Sequence, residues 1–286
     1  MKTNCSQQRI PILMYHAIAN VDESCIHPYY RTATSPELFR EHIQVLHERG
    51  YTTIGLPEVA NRVNATGRTQ KTVCITFDDG YADFQQHAFP LLEQFGFKAT
   101  VFLPTAFVGD SPRQFKERDI LTWRAVRELQ RAGMRFGSHT VSHPQLRALP
   151  YTEIKREISD SRRELEDRLG TEIDSFAYPY AFPEEDTDFK RILRELLEGA
   201  SYRYGVCTTV GCAGKKADSY FMPRLPINCC DDRDLFEAKL AGAYDWIGTL
   251  QLIYKVLKRI SHMTASQKGL SRKGVPSPDD EMRTSS

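Results

Sequence analysis

Short apolar runs rich in β-branched residues alternate with amphipathic segments along most of the chain. No other sequence feature constrains its fold so tightly. Ile10 to Tyr15 reads as a strand. Ser35-Pro36 supplies an N-cap and first helical residue, followed by Phe39, Ile43 and Leu46 at helical spacing up to Gly50. Further strands are predicted at Tyr51 to Ile54, Thr72 to Phe77, Ala99 to Leu103, Met134 to Ser138, Ser175 to Tyr178, Tyr204 to Thr209 and Tyr220 to Ile227. Helices are predicted from Pro90 to near Gly96, from Thr122 to Gly133, from Thr152 to Gly170, from Asp186 to Gly199, and from about Asp234 to Ile260. Repeated strand–helix units argue for an α/β fold with a parallel sheet, and this many units for a closed or nearly closed barrel. There is no repeat at a fixed period. Residues 1–260 read as one domain, and the Ser-, Lys-, Gly- and Pro-rich residues 261–286 as a disordered tail.

Lys and Arg number 38 against 37 Asp and Glu. That balance offers no general electrostatic grip on nucleic acid or anionic lipid, and suits a neutral or weakly charged substrate. Seven cysteines, an odd count with no CxxC pair, argue against a disulfide framework and for a reducing compartment. The first residues lack the apolar core of a secretory signal, and no apolar run reaches the length of a membrane span. A cytoplasmic location is therefore expected.

Two short segments carry the chemistry. The strand Thr72 to Phe77 runs into Asp78-Asp79-Gly80-Tyr81, which places two carboxylates where barrel enzymes hold catalytic groups. Side by side they repel unless a cation is present, and adjacent residues point in different directions, so one can bind metal while the other faces substrate. The competing reading of Asp-Gly is a solvated turn. The strand Met134 to Ser138 runs into His139 and, four residues on, His143. That spacing puts both on one side of a helical turn, within reach of one ion. Imidazole suits Zn²⁺ and other late first-row metals. Two His plus one Asp make a three-ligand site with open positions, a catalytic and not a structural arrangement.

At these residues the sequence resembles the polysaccharide deacetylases, also called NodB-homology domains or carbohydrate esterase family 4. Thr76-Phe77-Asp78-Asp79-Gly80-Tyr81 matches the family's TFDDG motif, and Ser138 to His143 its SH(T/S)xxH motif. Lys98-Ala99-Thr100-Val101-Phe102 also looks like a family strand, and the resemblance runs from about Ile10 to Ile227. It implies a distorted (β/α) barrel, of about seven parallel strands, and metal-dependent removal of acetyl groups from N-acetylated sugars. It implies Asp78 as the base, Asp79, His139 and His143 as metal ligands, and the backbone N–H of Tyr180 in an oxyanion hole.

Two departures stand out. The third motif is usually Arg-x-Pro-Tyr, its Arg orienting the base, but here the stretch is Ala177-Tyr178-Pro179-Tyr180. Arg224, in Met222-Pro223-Arg224-Leu225-Pro226-Ile227, is the candidate for the lost charge; the competing reading is a surface Arg at a strand end. The C-terminal His that serves as general acid is also missing, since beyond His143 there is only His262, in the tail. Pro11 to His16 resembles members with an N-terminal YH motif, whose His replaces that acid, so His16 takes the role here. Trp123, Tyr81, Tyr180, Phe182 and Trp246 are candidates for a sugar groove or for packing, and motif position singles out Tyr81 and Tyr180 as substrate-binding.

The expected activity is hydrolysis of an N-acetyl group on a sugar or polysaccharide with a bound divalent metal, Zn²⁺ foremost. The alternatives are a metal hydrolase of a non-glycan amide and a sugar-binding relative with weak turnover. The expected partner is an N-acetylated carbohydrate, not nucleic acid. Oligomeric state, glycan and cellular metal are open at this level.

Overall fold

The computed structural model describes residues 9–63, 70–215 and 217–255. Seven parallel strands close into a ring: β1 (Ile12–Tyr15), β2 (Thr72–Phe77), β3 (Thr100–Leu103), β4 (Arg135–Ser138), β5 (Ser175–Ala177), β6 (Tyr204–Val210) and β7 (Met222–Pro226). Each pairs with the next in chain order, and β1 seals the barrel by pairing with both β2 and β7. This is the distorted (β/α) barrel with about seven strands expected from the sequence. A short strand at Thr52–Thr53 adds to the start of β2. It is shorter than predicted for Tyr51 to Ile54.

Helices follow the strands: α1 (Pro36–Glu48), α2 (Leu56–Arg62), α3 (Phe89–Gln94), α4 (Trp123–Arg131), α5 (Tyr151–Leu169), α6 (Thr187–Gly199) and α7 (Arg233–Leu240). Local chemistry sets their starts. Ser35, Thr122, Asp186 and Asp232 each accept a backbone N–H through the side chain and cap α1, α4, α6 and α7. Gly170, in the left-handed conformation at φ 65°, ends α5. The chain after α7 corrects one expectation. The single helix predicted from Asp234 to Ile260 is broken at Gly242 (φ 78°), and a separate helical segment occupies 245–255. Cys5, Ile260, His262 and the predicted tail lie outside the described residues. The six described cysteines are unpaired thiols. Among the described residues no helix is long and apolar enough to cross a membrane.

Strand alternation sorts the side chains into two cores. Ile12, Cys74, Phe102, Ala177, Val206 and Met222 point inward and fill the barrel. Leu13, Tyr15, Val73, Ile75, Phe77, Phe136 and Leu225 point outward under the helices. The same alternation places the functional side chains. Continuing from Cys74 through Thr76, from Ile12 through Met14 and from Met222, it turns Asp78, His16 and Arg224 into the barrel mouth. Gly137 has an inward position in β4 but no side chain, and the Phe102 ring takes that volume. A Cβ there would come within 2.5 Å of Phe102 Cε1 and 2.9 Å of the Ser175 oxygen. Gly137→Ala should therefore cost about 1–3 kcal/mol through overpacking, read as a lower urea midpoint at unchanged m-value.

Candidate metal-dependent active site

The site lies at the C-terminal mouth of the barrel, where β1, β2, β4 and β7 end and the connecting loops begin. Asp78 and Asp79 follow β2 directly, and both are buried. Asp79 sits in the left-handed region (φ 69°), followed by Gly80 (φ 65°), so the chain turns sharply and the two carboxylates diverge. They face different partners in consequence.

Arg224 grips Asp78. Its Nη1 donates to Oδ1 and its Nη2 to Oδ2, each at 2.7 Å, in a two-pronged pair. Nη1 also donates to Thr76 Oγ1 at 3.3 Å, and Nε to the Cys207 carbonyl at 3.2 Å. The guanidinium is wholly buried. Its reading as a surface arginine is therefore wrong: from β7, on the far side of β1 from β2, it places a positive charge on Asp78. Burial pushes the Asp78 carboxyl up, but Arg224, with His139 and His16, overcomes this and holds it well below the usual carboxylate range.

Asp79 faces the histidines. His143 Nε2 lies 3.3 Å and His139 Nε2 3.7 Å from Asp79 Oδ1. Asp79, His139 and His143 each offer a ligand atom within 4.8 Å of the others. Two ligands about 2.0–2.1 Å from one tetrahedral ion lie about 3.3 Å apart, so the cluster has the dimensions of a metal site. Its chemistry fits as well. Asp79 Oδ1 and His143 Nδ1 are buried without a hydrogen-bond partner, which is costly unless a cation takes up at least the carboxylate oxygen. His139 Nδ1 lies 2.8 Å from the Ala177 carbonyl, which as an acceptor fixes the proton on Nδ1 and leaves Nε2 free as a ligand. Burial lowers both histidines, His143 to about 3, so both imidazoles are neutral near pH 7. Burial again raises Asp79, but His16, Lys116 and the two histidines lower it further, so it too is ionised.

The loop holding the histidines is not a helical turn, contrary to the reading from their spacing. Thr140 (φ 68°) and His143 (φ 55°) both adopt the left-handed conformation, and no helix forms between them. Local bonds impose this shape. Ser138 Oγ accepts the Thr140 N–H, Thr140 Oγ1 accepts the His143 N–H, and Glu157 of α5 accepts the N–H groups of Val141 and Ser142.

His16, at the end of β1, places Nε2 4.0 Å from Asp78 Oδ2. Tyr180 is half-exposed at the rim, its ring edge-on to His143 with centroids 4.8 Å apart and its backbone left-handed (φ 61°). Tyr81 departs from expectation. It is buried, and its hydroxyl donates to Asp79 Oδ2 at 2.9 Å, so it holds that carboxylate and does not stand exposed. Trp123 and Phe182 are core residues, while Trp246 stands exposed.

Two functional side chains escaped the sequence reading. Lys116, in the two-residue turn of a small hairpin (Gln114–Phe115 with Arg118–Asp119), reaches over the site and donates to Asp79 Oδ2 at 3.1 Å. Glu157 anchors the histidine loop. Neither belongs to a motif or ends a barrel strand, so no local signal marks them.

The sequence model of the polysaccharide deacetylase family matches residues 65–198. The Bacillus subtilis (strain 168) protein YxkH is 28% identical over 221 residues, 77% of this chain and 72% of its own. The structure of the Streptococcus pyogenes deacetylase PplD in complex with acetate superposes with a TM-score of 0.70 at 26% identity, covering 82% of this chain and 99% of that one. A 133-residue stretch is 31% identical to the poly-β-1,6-N-acetyl-D-glucosamine N-deacetylase of Escherichia coli (strain K12), covering 42% of this chain but only 19% of that protein.

The Arg224–Asp78 pair is directly testable. Arg224→Ala leaves a buried carboxylate unpaired and should cost about 3–5 kcal/mol in urea unfolding. A surface arginine would cost within about 0.5 kcal/mol. Because the folded value of Asp78 lies below its unfolded value, the pair stabilises the fold above the unfolded value. That contribution is lost as pH falls through the folded one. Arg224→Ala should flatten this acid limb of the stability profile.

Proposed function

The chain carries a polysaccharide deacetylase domain and belongs to that family of hydrolases acting on carbon–nitrogen bonds, and on that premise we propose that it removes acetyl groups from an N-acetylated polysaccharide with the aid of one divalent metal ion, Zn²⁺ foremost. One observation carries this reading: an ionised, clamped carboxylate (Asp78) stands beside a three-ligand cluster whose central oxygen, Asp79 Oδ1, has no other partner. Asp79, His139 and His143 would hold the ion. When bound, a divalent cation supplies Lewis acidity toward the acetamide carbonyl and the attacking water.

The chain's own residues supply the rest. Asp78 takes the proton of the attacking water, and its low proton affinity keeps it ready in the charged form. Arg224 acts as a positioning residue, fixing both Asp78 oxygens so that one lone pair faces the site. The N–H of Tyr180, at the rim, would receive the developing oxyanion. His16 delivers a proton to the departing amine, because an amide anion is a very poor leaving group. Lys116, near Asp79 and at the open side, screens the ligand carboxylate from solvent.

Acetate release from N-acetylglucosamine oligomers, after chelator treatment and again after Zn²⁺ is restored, tests the proposal. Loss and recovery are expected; release indifferent to metal would overturn it, and no release from any N-acetylated sugar would favour a non-glycan amide or a binding role. Asp78→Asn should lower kcat by roughly 10²- to 10⁴-fold with metal content unchanged by mass spectrometry. Loss of metal instead would exchange the roles of Asp78 and Asp79. His16→Ala should cut turnover of acetamides while sparing an activated aryl acetate, whose leaving group needs no proton; equal losses on both would make His16 structural.

A further inference from the structure

The helical segment at 245–255 is amphipathic in the reverse sense. The face turned to the protein is polar or small. Gln251 Oε1 accepts the Val210 N–H at 2.9 Å, Lys255 Nζ donates to the Phe182 carbonyl at 2.6 Å, and a Cβ on Gly248 would collide with the Val210 oxygen. Ile247 alone packs its apolar side chain on the core. The outward face carries Trp246 (60% exposed), Leu250 (51%), Ile253 (49%) and Tyr254 (67%), at spacings that share one side of a helix. Four large apolar side chains on one exposed face are not the ordinary scatter of single surface hydrophobics, and such a patch marks an interaction surface.

Charge identifies the partner. From Trp246 to Pro278 the sequence has six Lys or Arg and no Asp or Glu. The chain's even overall balance hides this, so the general argument against an anionic partner does not apply to the C-terminal region. Five of the six basic residues lie outside the described residues. The helix opens on Asp245, which is tied to Arg9, and its one described basic residue, Lys255, faces the protein. An apolar face bearing Trp and Tyr, followed in sequence by basic residues and no acidic one before Asp279, has the composition of segments that lie in the boundary of an anionic bilayer. A second copy fits less well, because two such basic segments would repel.

We propose that this segment docks the protein on an anionic lipid surface, with Trp246, Leu250, Ile253 and Tyr254 entering the headgroup–acyl boundary. The inference does not depend on the proposed deacetylation. Its geometry nonetheless bears on the site. Phe182, which receives Lys255, donates its N–H to Thr208 Oγ1, and that hydroxyl donates to the Tyr180 carbonyl. The inward face of the docking segment therefore connects to the rim that carries Tyr180.

The test uses the full chain with vesicles of equimolar phosphatidylglycerol and phosphatidylcholine, and with phosphatidylcholine alone, by co-sedimentation. Binding to the mixed vesicles is expected, about tenfold or more weaker on phosphatidylcholine and weakened by salt, since each basic residue near such a surface contributes roughly fivefold. The exposed Trp246 should shift its emission to the blue on binding, whereas Trp123 is already buried. Leu250→Ser with Ile253→Ser, both exposed, should weaken binding about tenfold or more without moving the thermal midpoint. Three results would overturn the proposal: no binding to either vesicle, a double variant that binds like wild type, or equal binding to both lipids at all salt concentrations. Among non-binding outcomes, a stable dimer dissolved by the double variant would assign the stripe to a second copy instead.

Discussion

The buried pair between Arg224 and Asp78 organises the rest of the site. A guanidinium and a carboxylate removed from water are each costly, and their attraction offsets that cost only with good geometry and further hydrogen bonds. Here both prongs are made, and Thr76 and Cys207 take two more of the N–H groups. The pair links β2 and β7, the two strands that flank β1. It occupies both oxygens of one carboxylate with a protein cation, whereas Asp79 has Lys116 on Oδ2 alone and keeps Oδ1 for a different charge. The division of labour between Asp78 and Asp79 is thus set by where the positive groups stand, more than by any difference between the carboxylates themselves.

Backbone strain concentrates at the same place. Among the described residues seven non-glycine positions have positive φ, and six of them, Asp79, Lys116, Glu117, Thr140, His143 and Tyr180, lie in the turns and loops around the mouth. Each such conformation costs of order 1–3 kcal/mol and persists only where the surroundings over-determine it. For Thr140, whose branched side chain is least suited to it, the surroundings are explicit: Ser138, Glu157 and the N–H of Thr105 all fix its loop. The outer core beneath, continuous from β1 through the helices, supplies the stability that tolerates this strain.

The strands were legible because burial on both faces makes them continuous apolar runs, and Thr72–Phe77 matches its predicted bounds residue for residue. Helix starts were legible where a side chain caps them, as at Ser35 and Thr122. The break at Gly242 was missed because a lone glycine within an apolar-periodic stretch also fits an unbroken helix. Asp79, His139 and His143 could be grouped because each follows a strand whose end fixes its rim position. Arg224 could be named only as a candidate, since its partner lies 146 positions away and local sequence carries no such distance. Lys116 and Glu157 had no signal at all, and Tyr81 was misplaced because motif position does not say which way a ring points.

Ring closure has a bearing on synthesis. β1 is the first strand to leave the ribosome, yet its two neighbours are β2 and β7, the latter the last barrel strand to be made. At about 5–20 residues per second, the stretch separating Asp78 from Arg224 takes on the order of ten seconds to emerge. Until β7 arrives, β1 cannot gain its second neighbour and Asp78 cannot gain the guanidinium of Arg224. Closure of the barrel and pairing of its interior charge both wait on the same strand, β7.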